Sequence, residues 1–227
     1  MVILKLPFGL DYTDVTRLGG LRSAPAAAGA LLLTLTACAP APTTGIARGK
    51  ALFERCTPCH GDNGTGNRAL GAPAIAGLPE WYVEGQLTDF RAGRRGYAPF
   101  DTNGIRMKSM SWTLQDSTDV AAVAMYVASL PAPTLTPVLH GNVAAGQATF
   151  QICAACHGPA ARGNPDMHAP PLAGRSDWYL IRQLHDFHAG WRGGDTADVW
   201  GQVMKPNAMP LDDTMMVNVL SYIETLR

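Results

Sequence analysis

The 227-residue chain carries no net charge: eighteen Lys and Arg are matched by eighteen Asp and Glu. Such a balance gives no electrostatic footprint for nucleic acid or another polyanion. The chain also lacks an apolar run long enough for a membrane span, Ala24–Thr36 falling short. No alternating strand pattern stands out, and no signalling domain is present. Cysteine is scarce, at five residues: Cys38, Cys56, Cys59, Cys153 and Cys156. Four of them form two Cys-x-x-Cys pairs, which leaves Cys38 over. What the chain does have is apolar material for a core, 47% of residues, punctuated by 24 Gly and 17 Pro.

Ala24–Thr36 is small and apolar and follows Arg17 and Arg22, the order of an export signal. It ends in Leu35-Thr36-Ala37-Cys38, which resembles a bacterial lipobox, whose cysteine is lipidated and becomes the mature N-terminus. Cleavage after Ala39 is the alternative, but it would leave Pro40 first after the cut. Asp11 and Asp14 are out of place in a signal and point to a start downstream of Met1. The expectation is an export signal over 1–38, a tether over 39–45, and a periplasmic body anchored to a membrane by lipid on Cys38.

Shifted by 97 residues, the sequence lies on itself. Cys56, Cys59 and His60 fall on Cys153, Cys156 and His157. Gly49, Phe53 and Pro73 fall on Gly146, Phe150 and Pro170. Trp81-Tyr82 falls on Trp178-Tyr179, Gln86-Leu87 on Gln183-Leu184, Arg95-Gly96 on Arg192-Gly193, and Met107-Lys108 on Met204-Lys205. A period of this size is a duplicated small domain rather than a solenoid repeat. The predicted domains are 46–130 and 142–227, joined by 131–141, whose three prolines in seven residues make it extended and semi-rigid. Residues 46–130 hold nine Lys and Arg against eight Asp and Glu, and 138–227 hold six against eight, a weak asymmetry.

Each repeat reads as helical. The first helix spans Ala47–Cys56 and runs into the cysteine motif; a second covers Glu80–Ala92; the last follows Asp116 or Asp212 as N-cap. The Gly- and Pro-rich stretches between read as loops. Gly49 with Phe53, and Gly146 with Phe150, mark a close crossing of first and last helices.

Cys56-Thr-Pro-Cys59-His60 and Cys153-Ala-Ala-Cys156-His157 both have the c-type haem attachment spacing. Two thiols three residues apart on a helical turn can each add to one vinyl group of the same porphyrin. The adjoining histidine then lies under the iron. A redox dithiol would not need that histidine, and a Cys/His zinc site sits poorly with export. The chemistry implied is two covalent haem c groups.

An iron held by histidine and methionine has a raised reduction potential. Met107 stands 47 residues after His60, and Met204 stands 47 after His157. Each precedes a leucine, Leu114 or Leu211, by seven. Met110 aligns with Asn207 and so cannot serve both repeats. Met209, aligned with Trp112, is a competitor because Met209-Pro210 also looks like a ligand loop. His168, His185 and His188 read as surface or supporting residues. The candidate metal ligands are His60, Met107, His157 and Met204. The Pro73 and Pro170 carbonyls are candidates to accept from the histidine Nδ1–H groups. Trp81, Tyr82, Trp178, Tyr179, Arg95 and Arg192 are candidates for haem faces or propionates.

These residues resemble the class I cytochromes c, in particular the two-domain, two-haem cytochrome c-four group. The features are Cys-x-x-Cys-His, the proline thirteen residues later, Trp-Tyr…Gln-Leu…Asp-Phe…Ala-Gly, and Met-Lys before the last helix. The resemblance covers 46–227. It implies an all-α fold of two tandem cytochrome c domains, each wrapped around one covalent haem. It also implies one-electron transfer between redox proteins such as a terminal oxidase, a quinol-oxidising complex or a periplasmic dehydrogenase. Irons with two protein ligands leave no place for a small-molecule substrate. The alternative is a haem enzyme or an oxidoreductase subunit, of peroxidase or dehydrogenase type.

Overall fold

The computed structural model describes residues 44–227; the expected export signal and most of the expected tether lie outside the described residues. The described residues are helical, with isolated bridges Asn67–Ala72 and Asn164–Ala169 in place of any extended sheet. The first half holds α1 (Gly45–Phe53), α2 (Thr57–His60), α3 (Glu80–Arg91), α4 (Thr102–Ser111) and α5 (Ser117–Ser129). The second holds α6 (Val143–His157), α7 (Asp177–His188), α8 (Val199–Ala208) and α9 (Asp213–Ile223). None of these helices is long and apolar enough to cross a membrane.

The halves differ at their starts. In the second, one helix, α6, runs through the whole cysteine motif. In the first, the equivalent run is broken into α1 and α2, so Ala47–Cys56 is not one helix. Pro58 is the cause. It has no N–H to give to Glu54, and its ring would strike that carbonyl. Glu54 O instead accepts from Thr57 Oγ at 3.0 Å. Ala155 holds the position of Pro58 in α6 and imposes no break.

α4 and α8 occupy stretches whose composition reads as loop. Gly104, Gly201 and Pro206 lower their helix propensity. Aspartate caps offset this: Asp101 accepts from the Gly104 N–H and Asp198 from the Gly201 N–H, each at 2.8 Å. Pro206 withholds one helical N–H, and Asn207 Nδ2 donates to Val203 O at 2.9 Å beside it. The last helices begin where the caps suggest. Asp116 accepts from the Asp119 N–H at 3.0 Å, and Asp212 from the Met215 N–H at 2.8 Å.

Each half has its own core. In the first, Leu52 and Phe53 of α1 pack with Val83 and with Val120, Val123 and Val127 of α5. In the second, Phe150 packs with Val219, Leu220 and Ile223 of α9. First and last helices cross at glycine, because a Cβ on Gly49 would strike the Ala122 carbonyl and one on Gly146 the Asn218 carbonyl. The Phe53 and Tyr126 rings meet edge-on at 5.2 Å beside the first crossing, and the Phe150 and Tyr222 rings meet tilted at 5.4 Å beside the second.

The connecting strand is pinned to the second half. Asp177, 1% exposed, accepts from the Val138 and Leu139 N–H groups at 2.6 and 2.7 Å. The Gly141 N–H donates to Ser221 Oγ at 2.8 Å. The prolines limit the strand's freedom, and these bonds anchor its far end.

Candidate functional site

A cavity of about 760 Å³ runs through both halves. It is lined from the first half by His60, Pro73, Trp81, Tyr82, Arg95 and Met107. From the second, Cys153, Cys156, His157, Pro170, Tyr179, Arg192 and Met204 line it. Cys56 packs against the core of the first half at the α1–α2 turn. Trp178 stands apart, on a smaller cleft of about 210 Å³ with Thr65, Asn67 and Leu135. Met107 and Met204 face the shared cavity from α4 and α8, whereas Met209 is 46% exposed at the end of α8.

His60 and His157 are buried, and each points Nδ1 at a proline carbonyl: Pro73 O at 2.9 Å and Pro170 O at 2.8 Å. A carbonyl can only accept, so the hydrogen sits on Nδ1 and Nε2 keeps its lone pair. Burial lowers both imidazole pKa values, and the carbonyl bond opposes it only in part. Both rings are held in one orientation with an unprotonated Nε2, the form in which an imidazole can bind a metal. Burial pushes the Cys56 thiol up to about 11 and raises Cys153 as well. Redox dithiols have lowered values, so these cysteines do not match that chemistry. Among the described residues no group of three or more His, Cys, Asp or Glu is placed to hold a metal ion.

The halves meet through a ring of four side chains, the candidate residues Arg95 and Arg192 and two glutamines that pattern reading did not single out as functional. Gln86 Oε1 accepts from Arg95 Nη1 at 2.5 Å and from Arg192 Nη2 at 3.2 Å. Gln183 Oε1 accepts from Arg192 Nη1 and Arg95 Nη2, both at 2.9 Å. Each glutamine thus bridges one arginine of its own half and one of the other. The arginines are 5% and 8% exposed and lie over Phe90 and Phe187, each 4.3 Å from the ring centre. Both Nε atoms are buried without a partner. Two buried cations with spare donors in an apolar cavity fit a group that brings carboxylates with it. The identity of Gln86-Leu87 and Gln183-Leu184 between repeats was the one sequence signal for the glutamines.

Around the ring the halves are unlike. His168, at φ 48°, stacks on Trp200 at 4.1 Å and meets Trp81 of the other half edge-on at 5.7 Å. Gly71 and Asn103 hold the corresponding positions in the first half. Tyr97 donates to Gly190 O at 2.5 Å, and Arg175 Nη1 to Ala76 O at 3.2 Å, both across the boundary.

A duplicated helical domain, each copy with a cysteine pair, a carbonyl-held imidazole and a methionine over one cavity, defines a dihaem c-type electron-transfer protein. The cytochrome c family matches residues 46–131 and 143–227, and the chain belongs to it, within its two-haem, cytochrome c4-like group. The chain is 30% identical to cytochrome c4 of Azotobacter vinelandii over 86% of its length and 96% of that protein. It is 34% identical to a thiosulfate dehydrogenase electron acceptor of Stutzerimonas stutzeri, over 71% of its length and 75% of that protein. The crystal structure of reduced recombinant cytochrome c4 from Pseudomonas stutzeri superposes with a TM-score of 0.63 at 26% identity, covering 80% of this chain and 98% of that one. The protein is a carrier of single electrons between redox partners and takes two covalent haem c groups.

Proposed function

We propose that Cys56 and Cys59 attach one haem, with His60 and Met107 as its iron ligands, and that Cys153, Cys156, His157 and Met204 serve the other. Bound there, each haem supplies a one-electron couple at iron. The chain's own part is to hold and to exclude. The Pro73 and Pro170 carbonyls fix the imidazole rings so that Nε2 faces the cavity. Met107 and Met204, which line the same cavity, would supply the further ligands and keep solvent and small molecules off the metal. Arg95 and Arg192, with their free Nε donors, would neutralise the propionates. Trp81, Tyr82 and Tyr179 would complete the walls. The reading rests above all on the doubled geometry: a carbonyl-held histidine and a methionine 47 residues later, facing one cavity in both halves.

The domain limits follow as 46–130 and 142–227. The body works in the periplasm, tethered through a lipid on Cys38. Its donor is a periplasmic dehydrogenase or a quinol-oxidising complex, and its acceptor a terminal oxidase. The resemblance to a thiosulfate dehydrogenase electron acceptor favours a dehydrogenase donor. An enzymatic role would need an open iron position, and Met107 and Met204 oppose it.

The test is substitution. Met107→Ala should give one high-spin haem that binds carbon monoxide when reduced, with the other haem unchanged. Met204→Ala should do the same at the second haem. If Met209→Ala has that effect instead, the second-domain ligand is misassigned. Rapid carbon monoxide binding by the unaltered protein would overturn the carrier reading in favour of an enzyme.

A further inference from the structure

The two haem sites receive different charge from the partner half. Across the repeat, the cavity-lining pairs Asp89 and Asp186, Arg95 and Arg192, and Asp101 and Asp198 are matched in charge. Five charged lining residues have no match. Two belong to the first half, Glu84 and Arg94, opposite Ile181 and Trp191. They are of opposite sign, and Arg94 is paired with Asp89 at 2.7 Å. Three belong to the second half: Asp166, Arg175 and Arg182, opposite Ala69, Leu78 and Gly85.

Both unmatched arginines reach into the first half. Arg175 donates to Ala76 O, three residues beyond the carbonyl that holds His60. Arg182 Nη2 lies 3.2 Å from the Asn103 side-chain oxygen, with that amide turned to accept. Asn103 is one helical turn before Met107 on α4, and so on the same face. The two guanidinium groups therefore bracket the first site, one near its histidine side and one near its methionine side. The second site meets Leu78 and Gly85 at the corresponding positions and keeps Asp166 on its own loop. Arg175 has no carboxylate within ion-pair distance among the described residues, and its Nε is buried without a partner. Guanidinium does not give up its proton in a protein, so both charges persist. A fixed positive charge favours the reduced, less positive iron.

We infer that Arg175 and Arg182 of the second domain raise the potential of the first domain's haem, so that a single electron shared between the two rests on the first. The inference builds on the ligand assignment above. Arg175 and Arg182 act as positioning charges across the boundary, not as ligands.

A two-step spectroelectrochemical titration of the haem-loaded protein tests this. It should be run near pH 8, where imidazoles are ordinarily neutral. Met107→Ala marks the first-domain haem, and the upper step should be the one it moves. Arg175→Gln and Arg182→Gln should each lower that upper step, shifting the electron's partition between haems by about threefold to tenfold, tenfold being about 59 mV for one electron. The lower step should move less, and the double variant should narrow the gap further. Arg182→Lys, which keeps the charge, should restore most of the gap. The proposal is overturned if Met107→Ala moves the lower step, if the Gln variants shift both steps equally or neither, or if Arg182→Lys behaves as Arg182→Gln does. A failure of the ligand assignment shows separately, as Met107→Ala leaving both haems low-spin.

Discussion

Gly49 and Gly146 show how much a single missing Cβ decides. Each sits where the first helix of its half touches the backbone of the last, and a methyl there would overlap a carbonyl oxygen. Gly49→Ala should cost the first domain about 2–4 kcal/mol, read by denaturant unfolding. Asp119 shows a charge used in one half only. Burial alone would raise its carboxyl, but the Gln115 N–H and Arg48 outweigh burial and hold its pKa below the ordinary value. A depressed carboxyl stabilises the fold above its unfolded pKa, and that stability is lost as pH falls through the lower folded value. Acid should therefore weaken the first domain below about pH 4, and Asp119→Asn should flatten that slope. Ala145 and Met215 replace the pair in the second half, which should lack this contribution. The doubled motif made Met107 and Met204 legible as candidates from sequence alone. Arg175 and Arg182 were not, because they have no counterpart in the repeat and act on the opposite half.

Among the elements, the contrast of α1 and α2 with α6 isolates the effect of proline. The same attachment spacing lies on a broken helix in one half and on a continuous one in the other. Ala155→Pro should leave haem attachment intact, since Pro58 is accommodated in the same motif. It should destabilise the second domain by about 3 kcal/mol, measured as a fall in its unfolding midpoint. Asp116→Ala removes one helix cap and should cost about 1 kcal/mol. Helices α3, α5, α7 and α9 were legible because apolar spacing and a cap or acidic first turn agreed. α4 and α8 were not: Gly, Ser and Pro in their interiors mask helices held by aspartate caps and by packing around the cavity.

For the molecule as a whole, the glutamine ring does what neither half could do alone. Removing one carbonyl deprives an arginine on each side of an acceptor, at about 1–3 kcal/mol for each orphaned buried donor. Gln183→Leu should also strip Asp186 of the bond it accepts from Gln183 Nε2 at 2.7 Å. The variant should unfold in two separable steps where the parent unfolds in one, as followed by calorimetry. Duplication was plain from the sequence. How the copies face one another was not, because each arginine's second acceptor lies 88 or 106 residues away in the chain.

The Gln–Arg ring and the Tyr97–Gly190 and Arg175–Ala76 bonds hold the halves to each other, so the covalent link over 131–141 is not the main thing joining the lobes. A protease nick between Ala132 and Thr136 should yield two fragments that still elute together from a sizing column. In the uncut chain, passage between the lobes is independent of dilution; after the nick it should persist only while the fragments stay above their dissociation constant.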